Sequence, residues 1–284
     1  MEPDKLMHAA KELFMPQLLF FNLFFVYMGM LVAQNYSLGT AILLTVAFVS
    51  ARSSGVLMNR YVGRGEDLAD PTKIKSMCSL KVPKNVLLIL FVVFAAVFML
   101  GAYLLNTLSF ILAPLPLAFF VIDPMVKRHT SKRHYFLGLI ESFDVAGGYI
   151  GASGIFPSSI LVYILMFAVI FIGGGFDILI SMRKAAFDAG HGLKTIPSTR
   201  GIPAALNYSL YSHITAAAFL VLFAIVSGSY IILAGAVLAS AILLMQHIDI
   251  DPNDGPGTMS RVARYNTAAA LVLLLSLLIS VFGA

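Results

Sequence analysis

Charge is the scarcest property of this sequence. Of its 284 residues only 12% are Asp, Glu, Lys or Arg, while 59% are hydrophobic; soluble chains average about 25% charged residues. The shortage excludes an ordinary soluble domain, which could not hide so much apolar surface from water. A lipid-facing surface accounts for it. Cysteine is nearly absent as well. The single Cys78 rules out an intramolecular disulfide, and in a lysine-rich loop it reads as incidental. The sequence also lacks a phosphate-binding glycine loop, a nucleophile elbow, an H-E-x-x-H pair and any paired C-x-x-C. The N-terminal stretch with Glu2, Asp4, Lys5, Lys11 and Glu12 does not have the form of a cleaved leader, so the first apolar run is expected to remain a span. No low-complexity segment is present. The formal charge of +5 fits the basic loops of a membrane protein and does not call for nucleic acid.

What the sequence does have is long apolar runs, and each span needs roughly 20 such residues. Runs at about 14–34, 38–59, 85–105, 107–124, 135–153, 158–178, 205–227, 229–247 and 265–283 predict nine transmembrane helices in one domain over residues 1–284. The connections alternate in character. Those at 35–37, at Asn106, at 151–157 and at Gly228-Ser229 carry no charge. The others hold Arg60, Arg64, Lys73, Lys75, Lys81 and Lys84; then Lys127, Arg128, Lys132 and Arg133; then Arg183, Lys184, Lys194 and Arg200; then Arg261 and Arg264. The positive-inside rule puts these basic loops and the N-terminus in the cytoplasm and the C-terminus outside, in a multi-pass cell-membrane protein. The two long cytoplasmic loops fall at about 60–84 and 179–204.

Polar residues inside the runs mark candidate sites, because charge at that depth is costly and usually faces a cavity or a partner. Arg52, Glu141, Asp144 and Asp177 are such residues. Glu141 and Asp144, three apart, share a helix face, either as a hydrogen-bonded pair in the packing or as a substrate or proton site. Two stripes repeat one spacing. Asn59, Gly63, Asp67 and Asp70 fall at i, i+4, i+8 and i+11; Asp177, Ser181, Lys184 and Asp188 fall at i, i+4, i+7 and i+11. On helices each set forms one face. Facing carboxylates of this kind suit Mg²⁺, which takes oxygen ligands and holds substrate phosphates; a solvated helix end of mixed charge is the plain alternative. Gly173-Gly174-Gly175 reads as a close helix contact, Pro114 and Pro116 as a kink, and His247, Asp249, Asp251 and Asp254 as a solvated turn.

These residues resemble the UbiA superfamily of intramembrane prenyltransferases, in its 4-hydroxybenzoate and menaquinone branch. Ala51-Arg52-Ser53-Ser54-Gly55, Met58-Asn59-Arg60, Asp67 and Asp70-Pro71-Thr72 are similar to that branch's first aspartate motif. Phe176-Asp177-Ile178-Leu179, Phe187-Asp188 and His191-Gly192-Leu193-Lys194-Thr195-Ile196-Pro197 are similar to its second. Asp123-Pro124 and Lys127-Arg128-His129-Thr130 resemble the family's Y-P-x-x-K-R-x-T. The resemblance spans essentially the whole chain. It implies an all-α nine-helix bundle with a central cavity open to the cytoplasmic side, and two aspartate motifs that bind Mg²⁺ and, through it, an isoprenyl diphosphate. Diphosphate departure would leave an allylic cation that alkylates a hydrophobic or aromatic acceptor.

The sequence departs from that pattern where metal would bind. The leading aspartate of the first motif is Gly63 and that of the second is Lys184; the glutamine before it is Arg183. The resemblance then implies a remodelled site. Asn59, Asp67, Asp177 and Asp188 would act at the reaction centre. Asp67, Asp188 and either Glu66 or Asp70 would hold one Mg²⁺. Arg52, Arg60, Arg64, Lys127, Arg128, Arg183, Lys184 and Lys194, with Glu141 and Asp144, would surround the substrates. Lys184 would contact phosphate as a point charge, because its ammonium has no lone pair for a metal. Two other readings stay open: an inactive relative that binds isoprenoid lipid or quinone or supports a partner protein, and an ion-coupled transporter suggested by Glu141 and Asp144.

Overall fold

A computed structural model of the chain describes residues 13, 16–70, 82–251 and 255–283. Pro71, Thr72, Lys73, Lys75, Cys78, Lys81 and Asp254, with the N-terminal charged stretch, lie outside the described residues. The described chain is helical: α1 (Pro16–Val32), α2 (Leu38–Val62), α3 (Arg64–Ala69), α4 (Lys84–Leu105), α5 (Thr107–Leu112), α6 (Pro114–His129), α7 (Arg133–Ser153), α8 (Ile160–Ser181), α9 (Ala185–Gly190), α10 (Ile196–Arg200), α11 (Ile202–Ser227), α12 (Tyr230–Asp249) and α13 (Gly255–Phe282). A 3₁₀ turn, Met182–Lys184, joins α8 to α9.

Seven helical stretches among the described residues are long and apolar enough to cross a membrane. They comprise α2, α4, α5 with α6, α8 running on to Gly190, α11, α12 and most of α13. Two of the expected nine fall outside this group. In α1 the shorter apolar stretch Leu19–Val32 stands alone. In α7 the charged Glu141 and Asp144 and a run of glycines and serines dilute the apolar character.

The uncharged connections have a local cause. Each presents a small polar residue that caps the next helix. Ser37 accepts from Thr40 N–H, Asn106 from Ser109 N–H, Ser159 from Leu161 N–H and Ser229 from Ile232 N–H. Side-chain caps of this kind satisfy orphan helix donors without bulk water. Gly154 and Gly228 take left-handed conformations at the ends of α7 and α11, which reverses the chain there. These turns meet one another at one end of the bundle. Asn35 and Asn106 both donate to carbonyls at the C-terminal end of α7, Ser229 bonds Ser280 near the end of α13, and Tyr36 stacks edge-on against Phe282.

The main core lies among α1, α7, α8, α11, α12 and α13, around Phe21, Phe25, Leu165, Leu220, Phe223, Leu243 and Leu273. α2 packs against α4 and α6, α6 against α7, and α1 against α7 and α13. Backbones approach closely where glycine permits: a Cβ on Gly148 would lie 1.9 Å from the Val26 carbonyl, at the α1–α7 crossing. Ala113, in helical conformation, joins α5 to α6 at Pro114, where proline supplies no N–H to continue the ladder of α5.

Both acidic stripes are broken as helices. Gly63 ends α2 and precedes α3, and the 3₁₀ turn interrupts α8–α9. At Gly63 the backbone closes so tightly that a Cβ would meet the Asn59 carbonyl at 2.8 Å. The breaks replace a single straight face by short segments. Asp67, Asp70 and Asp188 end up buried instead of following the helix face outward.

Candidate functional site: a charged cavity with an apolar neighbour

The end of the bundle opposite the capped turns holds a cavity of about 320 Å³. α2 supplies Arg52, Asn59 and Arg60; α3 supplies Glu66 and Asp67, followed by Asp70. α6 supplies Asp123 and Lys127, and α7 supplies Arg133 and Glu141. α8 supplies Asp177, the 3₁₀ turn Arg183 and Lys184, and α9 Asp188. Most of the residues singled out in sequence therefore line one space, and the two stripes meet across it.

Six cations and seven carboxylates line the cavity, and most are matched in ion pairs. Arg60 Nη1 donates to Asp67 Oδ2 at 2.7 Å. Lys127 and Arg128 both bind Glu66, Arg128 at 2.9 Å. Lys184 Nζ lies 2.5 Å from Asp70 Oδ2. Arg133 bridges Asp123 at 3.0 Å and Asp177 at 2.9 Å. Among the described residues, two cavity cations make no ion pair. The Arg183 guanidinium rests against the Met259 sulfur at 3.5 Å, and Arg52 lies near Glu141 and Asp144 without an ion pair to either.

Asp177 is held from two sides. Besides Arg133 it accepts from His134 Nδ1 at 2.7 Å, while His134 Nε2 accepts from the Ile196 N–H at 3.1 Å. The second bond fixes the tautomer, with the proton on Nδ1. This locks the start of α10 to α7 and α8. Asp188 accepts from the Thr195 hydroxyl at 3.3 Å, and Thr195 itself caps α10.

Some expected residues sit elsewhere. Arg64 does not line the cavity and donates to the Val82 carbonyl at 2.7 Å. Lys194 is exposed and reaches the His129 carbonyl. Arg128 is half exposed at the rim, on the far oxygen of Glu66. Glu66 and Asp70 do not form a carboxylate pair with each other; each is taken by a lysine from across the cavity. Glu141 and Asp144 do not bond each other either. Glu141 accepts from Asn22 at 3.3 Å in space that Gly173 leaves free, where a Cβ would lie 2.0 Å from the carboxylate. Asp144, a further turn along, lines a different cavity. His247 is bonded to His213, Asp249 to Tyr265, and the Asp251 carbonyl to Thr258, so the described members of that group each have a separate partner. Sequence reading missed Arg133, His134 and Thr195 as site residues. The signal for Arg133 was Asp177 itself: an acid at that depth requires a cation at the same level.

The second cavity, about 180 Å³, adjoins the first, and Phe120 and Ile140 line both. Its walls include Leu44, Phe48, Ala102, Leu105, Leu112 and Phe143; Asp144 and Ser109 are its polar members.

The oxygen donors around the charged cavity have the chemistry that Mg²⁺ requires. Among the described residues no three of His, Cys, Asp and Glu are gathered to hold an ion alone. Asp67, Asp188 and the Asn59 side chain line the cavity, and with oxygens from water or phosphate they would be the residues to hold Mg²⁺.

Among the described residues, an all-helical bundle with seven stretches long and apolar enough to cross a membrane, a cluster of acids and bases at one end and an apolar cavity beside it defines an integral membrane protein. Residues 22–268 match the UbiA prenyltransferase family, and the chain belongs to that family. It is similar to the apo structure of a UbiA homologue from Aeropyrum pernix K1 at 27% identity and TM-score 0.81, covering 92% of this chain and 97% of that one. It is also similar in fold to a UbiA homologue from Archaeoglobus fulgidus bound to DMAPP and Mg²⁺ (15% identity, TM-score 0.71, 93% and 98% covered) and to the same homologue bound to GPP and Mg²⁺ (16%, 0.71, 93% and 99%). No curated protein matches in sequence.

Proposed function

We propose that this chain transfers an isoprenyl group from its diphosphate ester to a hydrophobic or aromatic acceptor of the quinone- or lipid-biosynthesis type. One observation carries this reading: a cavity whose Arg183 and Arg52 make no ion pair among the described residues adjoins an apolar cavity, with Phe120 and Ile140 lining both. A molecule with an anionic head and an apolar tail fits both at once. The UbiA homologue from A. fulgidus, whose structures hold DMAPP or GPP with Mg²⁺, supports the same assignment.

In this reading Arg183, Lys184 and Lys127 bind the diphosphate. Asp67, Asp188 and Asn59 would hold Mg²⁺, which supplies further neutralisation of the leaving group. As the C1–O bond breaks, its electron pair goes to the diphosphate oxygen, where fixed cations stabilise it. Phe120, Ile140 and Phe143 exclude water from the allylic cation. The acceptor's electron pair then forms the new bond to C1, and the acceptor loses a proton. Asp177 is assigned a positioning role, because its carboxylate is taken up by Arg133 and His134. The arrangement in the membrane belongs to the same proposal: nine spans in a cell membrane, the charged cavity facing the cytoplasm, the N-terminus inside and the C-terminus outside.

A second reading has its own support. Asp67, Asp70 and Glu66 are each already paired with a cation of the chain, as expected of a relative that keeps the fold and binds isoprenoid lipid without chemistry. Geranyl diphosphate titrated into purified protein, with and without Mg²⁺, separates the two. Saturable binding supports the transferase; binding of prenyl alcohol but not the diphosphate supports the inactive relative.

A further inference from the structure

Lys184 is placed between the two acidic stripes. By sequence it belongs to the second, yet its Nζ lies 2.5 Å from Asp70 of the first. Asp188, on its own side, lies within electrostatic reach of Lys184, Lys127 and Asp70. The Asp70 side chain is only 1% exposed, and that of Lys184 is 21% exposed. Two buried carboxylates brought in from opposite sides need a cation between them. A divalent ion and an ammonium are alternative solutions, and they exclude each other. The ammonium has no lone pair to coordinate with, and its charge repels a divalent ion from the same place.

We propose that the Lys184 ammonium is a resident counter-ion, bound to Asp70 where the two acidic stripes meet and a divalent ion would otherwise bind, so that the chain takes an isoprenyl diphosphate with at most one divalent ion. The diphosphate part of this rests on the prenyl-transfer reading; the seat itself rests on the geometry. Of the three ammonium donors, Asp70 engages one, and the other two serve a phosphate oxygen. Lys184 is thus both a replacement for an ion and a substrate contact. Acid-lined diphosphate sites that depend on two divalent ions gain no such fixed charge.

The test counts ions. Mn²⁺ bound per geranyl diphosphate is measured by electron paramagnetic resonance on the full-length protein, alongside calorimetric affinity in chelator and in Mg²⁺. Wild type should bind geranyl diphosphate measurably in chelator and take up no more than one Mn²⁺. Lys184→Ala should lose roughly ten- to a hundredfold in affinity in chelator, the scale of a charged contact. It should regain affinity as Mg²⁺ rises, because the ammonium no longer repels a divalent ion from the place beside Asp70 and Asp188. Lys184→Asp should take up one more Mn²⁺ than wild type. Two Mn²⁺ per ligand in wild type overturns the inference, as does a Lys184→Ala variant with wild-type affinity in chelator. The wild-type count decides alone if the variants fail to fold. Wild type that binds no geranyl diphosphate at any Mg²⁺ concentration instead removes the transferase reading, and the inference with it.

Discussion

Arg133 shows how one residue can tie two elements of a site together. Its guanidinium neutralises Asp123 and Asp177 at once, and all three side chains are at most 14% exposed. Removing one partner of a buried ionic group typically costs about 3–5 kcal/mol, because the remaining charge is left uncompensated, whereas removing the whole group costs little. Arg133→Met should therefore destabilise the protein by about 3–5 kcal/mol, read from thermal unfolding in detergent. The triple change with Asp123→Asn and Asp177→Asn should recover most of that loss. A single variant as stable as wild type would show that the bridge contributes nothing. Asp177 was legible in the sequence as an acid too deep for water, but its partner was not. Arg133 looks like any other basic loop residue until the start of α7 is placed beside the end of α8. Lys184 was legible as a break in the metal pattern. Its contact with Asp70, in place of its near neighbour Asp188, depends on how the 3₁₀ turn aims it.

At the scale of elements, the apolar runs located the seven stretches that are long and apolar enough to cross a membrane, but not the breaks within them. The stripe spacing assumed unbroken helices through Gly63 and through 182–184. The structure interrupts the regular helix at each place, and Asp67, Asp70 and Asp188 are buried beyond the interruptions. The seam between α2, α4, α5 and α7 carries a separate consequence. It encloses the apolar cavity, with Ala102 of α4 on its wall. Ala102→Phe adds a ring to that space. On the proposed reading it should weaken binding of long-tailed isoprenyl diphosphates by roughly tenfold or more, since burying a few methylenes contributes about 0.8 kcal/mol each. Inorganic pyrophosphate binding should not change. Equal losses for both ligands would place the tail elsewhere.

For the whole molecule, the alternation of bare and basic connections carried the most information, because the two ends of the bundle are built from different side chains. Ser and Asn caps close the turns at one end; ion pairs fill the other. The proposed orientation predicts that, in a Cys78→Ser background, cysteines placed at Ser37, Asn106 and Ser229 are labelled from outside the cell, and those at Lys132 and Lys194 are not. The reverse pattern would invert the topology.

The central claim is that one molecule spans both cavities, its diphosphate among Arg183, Lys184 and Lys127 and its tail past Phe120 and Ile140. A structure of the protein with a non-hydrolysable geranyl thiodiphosphate tests this most directly. The account predicts phosphate oxygens within hydrogen-bonding distance of Arg183 and Lys184 and a tail ending near Ala102. A ligand bound outside the charged cavity, or a tail directed away from Phe120 and Ile140 into surrounding lipid, would contradict it.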